Sequence, residues 1–261
     1  MRAHSLVALA ALVTGLTGGE VYAEPHEGPA LAAASNFSQG RRTGTMHYAH
    51  MAGVDDFRDG TLWSMIETEP GRYVFDDPRT RFPEELGFQG AEVSLVMNWG
   101  NPIYQEGETP TEPEAIAAFG ALAGVLMDRF PSVASLEIGN EFNGVNFVKG
   151  PIREMRPLDR ARAYVPLLQA AAASAREARP DIRILGGATH SIPVAYLWAI
   201  LDAGGAEAMD ALAIHPYTTK PEQLARQIAV LRRHPAAANM PIEVTEFGET
   251  DPEKAADYFI R

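Results

Sequence analysis

The sequence predicts an α/β fold, namely a TIM-type (β/α)8 barrel whose eighth strand has no counterpart in the chain. Seven short apolar runs alternate with longer helical patterns from residue 31 onward, which is typical of repeated βα units around a parallel sheet. The runs are continuously apolar, as expected of strands covered on both faces in a barrel or a doubly wound sheet. Polar side chains end many of these runs, as in a βα barrel. No glycine-rich phosphate loop follows the first run, which disfavours a dinucleotide-binding sheet.

The predicted strands follow from the apolar runs in chain order. They cover residues 31–36, 54–60, 91–98, 133–141, 182–185, 211–215 and a run from Ile242 to Glu246. In the second strand Phe57 and Arg58 are expected on opposite faces, because successive side chains of a strand alternate. Residues 71–76 are expected to form an ordered loop.

The first predicted helices rest on start and stop signals. A weak helix covers residues 45–52, and a short helix over residues 82–87 is closed by a glycine. Thr111 and Glu114 have the spacing of a capping box. The helix that they open carries apolar residues at helical spacing and ends at Pro131.

A long alanine-rich helix is predicted to start at Asp159 and to stop at Pro180. Pro166 inside it implies a kink or a later start, because proline removes one helical hydrogen bond. Three further helices are predicted from capping and proline residues: one over 193–203 capped by Ser191, one that begins at Pro221, and one that begins at Asp251 and Pro252.

The N-terminal region has the pattern of a secretory signal peptide. Arg2 and His4 precede the apolar run 6–16, and Val21 and Ala23 supply small residues at the −3 and −1 positions of a cleavage site. We therefore predict a signal peptide over residues 1–23, a flexible lead-in over 24–30, and a secreted or periplasmic protein. The barrel domain is predicted over residues 31–261, and the missing eighth strand favours a C-terminally truncated product.

The composition excludes several classes of partner. The formal net charge is −12, which argues against binding to nucleic acid or to an anionic membrane, because both require clustered Lys and Arg. No membrane contact beyond the signal peptide is expected, since the apolar run is shorter than the roughly 20 residues of a span. The chain has no cysteine, so disulfides and thiolate chemistry are excluded.

Two glutamates stand at matching positions at the ends of the fourth and seventh runs. Strand alternation places Glu137, Gly139 and Glu141 on one face, and Glu246 follows a run of the same outline. Across the mouth of a barrel, Glu141 and Glu246 would form the carboxylate pair that glycosidic hydrolysis requires. Alone, each glutamate is better interpreted as a charge near the N-terminus of the next helix. Together, and with Asn140 adjacent, they favour the catalytic interpretation.

These residues resemble the clan of retaining glycoside hydrolases built on the βα barrel. In that clan an Asn-Glu pair closes the fourth strand and a glutamate closes the seventh, as Asn140, Glu141 and Glu246 do here. The stretch 213–217, with His215 and Tyr217, is similar to the sixth strand of the clan. Three phrases are most similar to family 39, which includes β-xylosidases and bacterial exopolysaccharide hydrolases: 56–63, 71–75 and 98–102. The likeness extends from about residue 31 to residue 259.

The resemblance implies a role for each matching residue. Glu141 would be the acid/base and Glu246 the nucleophile. Arg58 occupies the position of a second-strand arginine near the nucleophile, and with Tyr217 it would stabilise the ionised carboxylate of Glu246. We expect the pKa of Glu141 to be raised by a less polar setting and by the charge of Glu246. Asn140 would donate to the sugar 2-hydroxyl.

Other side chains are open to two interpretations. Asn98 and Trp99 end the third run and are candidates for sugar binding, although a tryptophan there is as often part of the core. Trp63 has the same ambiguity. Trp198 is better explained by packing and His190 by a structural hydrogen bond. We expect the inward-pointing Glu137 to pair with Arg58. Neither a HExxH spacing nor a GxSxG motif occurs, which disfavours metal or serine catalysis.

The sequence therefore predicts a retaining glycosidase that acts on a polysaccharide or oligosaccharide, without a cofactor or metal. The predicted catalytic residues are Glu141 and Glu246, and the predicted substrate-binding residues are Arg58, Asn98, Trp99, Asn140, His215 and Tyr217. The alternative is a catalytically silent glycan-binding or exopolysaccharide-assembly protein on the same scaffold. A third possibility is a barrel enzyme with lyase chemistry.

Overall fold

In the described part of the chain, seven parallel strands form one curved sheet, which is a TIM-type barrel with one strand fewer than eight. The computed structural model describes residues 32–51, 53–217, 220–249, 251 and 253–254. The strands, named in chain order, are β1 (Ala32–Ala34), β2 (Asp56–Gly60), β5 (Val93–Met97), β6 (Val133–Ile138), β7 (Arg183–His190), β8 (Ala211–His215) and β9 (Ile242–Val244). Each is hydrogen-bonded in parallel to the next in this order. The prediction of parallel βα units is confirmed.

A two-stranded antiparallel hairpin interrupts the regular βα order. Its strands are β3 (Glu67–Glu69) and β4 (Arg72–Tyr73). The hairpin lies where an ordered loop was predicted. The turn between its strands contains Gly71 at φ +74°, a backbone conformation that glycine adopts at little cost.

The helices cover the outside of the sheet. They are α1 (Met46–Met51), α2 (Trp63–Ile66), α3 (Pro78–Phe88), α4 (Pro113–Arg129), α5 (Pro151–Glu154), α6 (Pro157–Ala178), α7 (Val194–Ile200) and α8 (Pro221–Leu231). Short 3-10 or π turns occupy Thr43–Thr45, Gln105–Gly107, Leu201–Gly205, Ala206–Ala208 and Pro235–Ala237. No helix among the described residues is long and apolar enough to cross a membrane.

The two longest helices, α4 and α6, pack against each other at close range. A Cβ atom on Gly120 would lie 2.9 Å from the carbonyl oxygen of Ala170, and one on Gly124 would lie 2.6 Å from the hydroxyl of Ser174. Larger residues at these two positions would push the helices apart. The close contact holds α4 and α6 over β6, which carries the residues before Glu141.

Several predicted element boundaries are wrong. Strands β6 and β9 end at Ile138 and Val244, not at Glu141 and Glu246. Gly139 has φ +83° and Glu141 has φ +51°, so the chain leaves the extended conformation after Ile138. Strand alternation therefore does not orient Glu141, whose side chain is placed by the following loop.

Two of the predicted helix caps are also wrong. Helix α4 has Glu112 at its N-cap position, without a side-chain cap. The amide oxygen of Gln105 accepts from the backbone N–H groups of Thr111 and Glu112 instead. Helix α7 has Pro193 at its N-cap, so Ser191 does not cap it. The side chain of Gln105 thus takes the place of the predicted Thr111 cap, and Pro193 occupies the N-cap position instead of Ser191.

Helix α6 and helix α3 both begin earlier than predicted. Helix α6 begins at Pro157, so Asp159 lies in its first turn and Pro166 is accommodated inside it. Helix α3 begins after Asp77, whose carboxylate accepts from the backbone N–H of Arg79. Gly87 lies within α3 rather than closing it.

The predicted signal peptide, the lead-in and residue 31 lie outside the described residues, as does most of the helix predicted after Asp251. At its start, the carboxylate of Asp251 accepts from the backbone N–H of Glu253 at 3.1 Å. No eighth parallel strand occurs within the described ranges, so β1 and β9 are the edges of the sheet there.

Buried carboxylates connect neighbouring loops at the C-terminal edge of the sheet. Asp59, at the end of β2, accepts from the hydroxyls of Ser35 and Ser38 and from the backbone N–H of Phe37. Glu67 accepts from the indole N–H of Trp63 at 2.6 Å and from the hydroxyl of Tyr104 at 2.8 Å. These contacts fix the loops that follow β1, β2 and β5 around the strand ends.

Candidate active site

The polar residues predicted at the strand ends meet at the C-terminal edge of the sheet. Six of them form one cluster connected by hydrogen bonds and ion pairs: Arg58, Asn140, Glu141, His215, Tyr217 and Glu246. Asn98 and Trp99 follow β5 at the same edge. Within the described part of the chain, neither makes a direct polar contact with the cluster.

Arg58 lies at the centre of this cluster. Its Nη1 donates to Oε1 of Glu246 at 2.6 Å, and its Nη2 and Nε donate to the carboxylate of Glu137 at 2.6 and 3.0 Å. Nη2 also donates to Oδ1 of Asn140 at 3.0 Å. Burial alone would lower the pKa of Arg58, but Glu137 and Glu246 raise it above its ordinary value. Arg58 is therefore a permanent cation between two carboxylates.

Glu137 points into the barrel and is fully buried. Burial favours the neutral acid, but the charge of Arg58 and the hydrogen bond from His215 prevail and lower the pKa of Glu137 to about 2. The predicted pairing of Glu137 with Arg58 is confirmed. Glu137 is thus an anion that fixes the orientation of the guanidinium.

Glu246 receives one donor on each carboxylate oxygen. Arg58 donates to Oε1, and the hydroxyl of Tyr217 donates to Oε2 at 2.9 Å. The pKa of Tyr217 is raised by burial and by the hydrogen bond to Glu246, so the phenol keeps its proton and remains a donor. The two donors thus fix both oxygens of the Glu246 carboxylate.

Glu141 lies between two histidines. Its Oε1 is 3.0 Å from Nδ1 of His215 and 3.3 Å from Nδ1 of His190. Burial raises the pKa of Glu141, but the two histidines outweigh it, so the pKa is lowered. The expectation of a raised pKa is wrong because the sequence did not indicate the hydrogen bond from His215.

His215 is completely buried and touches several acidic or polar groups. Its Nδ1 faces Glu141 and lies 3.8 Å from Oε2 of Glu246, while its Nε2 is 3.1 Å from the hydroxyl of Thr245 and 3.6 Å from Glu137. Burial alone would lower the pKa of His215, but Glu137, Glu141 and Glu246 raise it. The charged forms of His215 and Glu141 therefore favour each other, so that the titration of one depends on the charge of the other.

This coupling predicts the titration of His215. In the folded protein the midpoint of the His215 ring signal, followed by NMR, is expected above the ordinary value of about 6.5. Because the folded pKa is raised, protonated His215 stabilises the fold at low pH, and this contribution is lost as pH rises through the folded midpoint. The Glu141→Gln substitution is expected to lower the midpoint. A midpoint at or below that of the urea-unfolded chain would contradict the coupling.

One ligand atom from each of Glu141, His215 and Glu246 lies within 4.8 Å of the others. This donor set has the size of a metal site. However, Arg58 already binds one oxygen of Glu246 at 2.6 Å, and its charge would repel a cation. The arrangement is therefore better suited to acid–base and nucleophilic chemistry between two carboxylates.

Trp99 lies beside an open cavity of about 420 Å³ that is also lined by Leu62, Glu108 and Lys149. The ammonium of Lys149 lies 5.3 Å from the centre of the Trp99 ring and covers one of its faces. Trp63 is buried and belongs to the core, and Trp198 donates to the carbonyl of Leu231 at 3.2 Å. Trp63 and Trp99 both line the cavity, and Trp99 is the more exposed of the two.

Sequence reasoning missed the residues that hold the loop after β6. The side-chain amide of Asn143 donates to the carbonyl of His190 and accepts from its N–H, both at 3.0 Å. Arg160, at the start of α6, binds the carbonyls of the same loop. Both side chains form hydrogen bonds with backbone groups. The only signal in the sequence is the position of Asn143, two residues after Glu141; nothing in the sequence indicates the role of Arg160.

No protein-family model and no curated protein matches the chain. Solved structures do match. A family 39 glycoside hydrolase from Bacteroides cellulosilyticus WH2 aligns with a TM-score of 0.66 and 22% identity over 87% of this chain and 51% of its own. A β-xylosidase from Caulobacter crescentus CB15 aligns with a TM-score of 0.61 and 16% identity over 85% and 52%.

An exo-β-1,4-mannosidase from Opitutaceae bacterium strain TAV5 aligns with a TM-score of 0.60 and 14% identity over 86% of this chain and 47% of its own. The chain spans about half the length of these three proteins. At these identities the likeness shows the fold. The chain has a βα-barrel fold, and a family 39 glycoside hydrolase is among its structural neighbours, as the sequence resemblance predicted.

Proposed function

We propose that this chain carries the active site of a retaining glycoside hydrolase that cleaves O-glycosidic bonds of a polysaccharide or oligosaccharide. The spacing of Glu141 and Glu246 carries the proposal, since an oxygen of one lies within 4.8 Å of an oxygen of the other. Retaining enzymes separate their carboxyls by roughly 5 to 5.5 Å, whereas inverting enzymes need roughly 6.5 to 9.5 Å to admit a water molecule. The close spacing supports double displacement.

In the first step Glu246 attacks the anomeric carbon and Glu141 donates a proton to the departing glycosidic oxygen. Arg58 and Tyr217 each donate to a Glu246 oxygen, which supports an ionised nucleophile in the free enzyme. The bond to the leaving group breaks as the ester bond to Glu246 forms. In the second step Glu141 takes a proton from water, which attacks the same carbon and releases the carboxylate of Glu246.

The proton for the first step comes from the Glu141–His215 pair. The carboxylate and the imidazole are 3.0 Å apart, so a proton on Nδ1 can move to Oε1 of Glu141 as the glycosidic oxygen approaches. Neutralisation of Glu246 in the intermediate removes one of the charges that hold His215 protonated. The pair then favours the ionised Glu141 that the second step requires.

The substrate would be bound by side chains around the carboxylate pair. Oδ1 of Asn140 accepts from Arg58, which leaves its Nδ2 to donate to the sugar 2-hydroxyl. The side-chain amide oxygen Oδ1 of Asn98 is buried without a partner among the described residues, so a sugar hydroxyl could satisfy it. The cavity beside Trp99 would admit a further sugar ring. We also propose that the signal peptide directs the protein to the periplasm or outside the cell.

Covalent trapping tests this proposal. Activated 2-deoxy-2-fluoroglycosides are expected to label the enzyme once, because the fluorine slows both steps while the activated leaving group speeds only the first, so the glycosyl-enzyme accumulates. The panel begins with xylose and mannose, the sugars in the names of two similar enzymes, followed by glucose and galactose. Intact mass spectrometry followed by peptide mapping should place the adduct on Glu246.

The matched control is Glu243→Ala, on β9 just before Glu246 but paired with Arg183 away from the cluster, which should label normally. The retaining mechanism would be rejected if the enzyme turns over glycosides without forming an adduct and the product is inverted or unsaturated. Glycan binding without turnover across the panel would favour a catalytically silent protein.

A further inference from the structure

Arg160 is a buried arginine near the start of α6, and its side chain binds backbone only. Every one of the five N–H groups of its guanidinium meets a carbonyl oxygen. The acceptors are Ile152 at 3.0 Å from Nε, Asn143 and Gly144 at 3.2 and 2.5 Å from Nη1, and Arg153 and Met155 at 2.7 and 3.1 Å from Nη2. The five donors of an arginine are thereby used completely.

The charge of Arg160 is not paired with a carboxylate among the described residues. The residue is 4% exposed, and a buried cation is tolerated only where hydrogen bonds replace its hydration. Lysine could not take its place, since an ammonium has three donors and lacks the planar fork. Arginine is therefore the residue type that can bind these five backbone carbonyls at the same time.

All five carbonyls belong to residues 143–155, the segment that directly follows Glu141. Gly144 N–H donates to the carbonyl of Glu141 at 2.9 Å, and Glu141 N–H donates to the carbonyl of Ala188 at 2.6 Å. Glu141 has φ +51°, a left-handed conformation that costs energy for a residue with a Cβ atom. Such a conformation persists where the surrounding structure enforces it.

We propose that Arg160 is a positioning residue for Glu141. By tying residues 143 and 144 to residues 152–155, it closes the loop and holds the strained turn at Glu141. The carboxylate of Glu141 then stays within reach of His215. The catalytic consequence rests on the proposed function, whereas the placement of Glu141 beside His215 does not.

The chain offers a matched control at the other end of α6. Arg179 donates to the carbonyls of Met127, Phe130 and Val133. These carbonyls lie where α4 leads into β6, at the opposite edge of the sheet from Glu141. Loss of Arg179 removes a similar arginine–carbonyl cluster without touching the candidate site.

The test compares Arg160→Lys, Arg160→Met and Arg179→Met. Two glycosides are used, one with a poor leaving group that needs protonation and one with a dinitrophenyl group that does not. For Arg160→Lys, kcat on the poor substrate is expected to fall about 100-fold, because a displacement near 1 Å costs about that much. On the dinitrophenyl substrate, kcat should fall by a several-fold smaller factor. KM should change little on either substrate. The NMR midpoint of His215 should fall.

Arg179→Met is expected to lose thermal stability, but its ratio of activities on the two substrates and its His215 midpoint should stay at the wild-type values. Equal loss on both substrates with an unchanged His215 midpoint in Arg160→Lys would overturn the proposal and leave Arg160 a purely structural residue.

If the Arg160 variants do not fold, Asn143→Ala provides the second variant. It removes the side-chain link between the same loop and His190 and leaves the buried cation intact. It should show the same substrate dependence and the same shift of the His215 midpoint, and the absence of both would reject the positioning role of this loop. If the wild-type protein cleaves no glycoside, the proposed function fails, and the His215 midpoint alone still decides whether Arg160 holds Glu141 in place.

Discussion

Glu246→Ala is expected to lower kcat by at least about 10⁴-fold, because loss of a nucleophile removes the covalent route itself. Azide added to the variant should restore turnover. The small anion fits the space of the missing carboxylate and attacks the anomeric carbon from the side that Glu246 occupied. The product is then a glycosyl azide of inverted configuration, which NMR identifies.

Glu243→Ala is the control for this prediction. Glu243 lies on β9, three residues before Glu246, but its carboxylate pairs with Arg183, and its loss should change kcat by less than about twofold, as for most surface substitutions. Unchanged glycoside cleavage by Glu246→Ala would show that Glu246 is not the nucleophile. An inactive variant that also fails to bind substrate or to fold would be uninformative, so its circular dichroism and its glycan affinity are measured with its activity.

Glu141→Gln is expected to show a loss that depends on the leaving group. Glutamine keeps the size of the side chain but cannot donate a proton as an acid. On an alkyl or sugar leaving group, kcat/KM should fall by about 10² to 10⁴-fold, the usual contribution of general acid catalysis. On a dinitrophenyl glycoside, whose leaving group departs without protonation, kcat/KM should fall far less.

The pH profile gives a second measurement for the same variant. In the plot of kcat/KM against pH, one limb reports the titration of the Glu141–His215 pair. This limb should disappear in Glu141→Gln, because the pair no longer transfers a proton to the leaving group. Glu154→Gln, on the exposed surface of α5, is the control from the same loop region. Equal loss on good and poor leaving groups would argue against Glu141 as the acid.

The sequence was sufficient to predict the fold because most strands of the parallel sheet are short apolar runs and most of the helices carry a clear stop or start. It also predicted that Arg58, Asn140, Glu141, His215, Tyr217 and Glu246 come together, since parallel strands present their C-terminal ends at one edge. The pairing of Arg58 with Glu137 followed from the same reasoning and from charge.

The placement of Glu141 could not be predicted in the same way. Strand alternation assigned it to the inner face, but the backbone turns at Gly139, and Glu141 itself has a positive φ. The conformation depends on Arg160 and on Asn143, which are 19 and 2 residues away in sequence. Contacts between a side chain and distant carbonyls leave no periodic pattern in a sequence, so pattern analysis does not detect them.

The lowered pKa of Glu141 was missed for a related reason. Its cause is the contact with His215 and His190, two residues on different strands whose relative position is fixed only by the tertiary structure. The misplaced caps at Thr111 and Ser191 have the same origin. For the pKa and for the caps, the prediction used only neighbouring residues in the sequence, whereas the outcome depends on hydrogen bonds or backbone turns made elsewhere in the fold.

The ion pair between Arg58 and Glu246 has a mechanical consequence. Arg58 is on β2, the neighbour of the edge strand β1, and Glu246 follows the other edge strand, β9, so the pair at 2.6 Å connects the two sides of the described sheet. Within the described ranges this connection is made by charge, since β9 has no backbone pairing with β1 or β2 there. In the proposed cycle Glu246 is uncharged while it is esterified, so this connection between β2 and the segment after β9 is weakest during the lifetime of the intermediate.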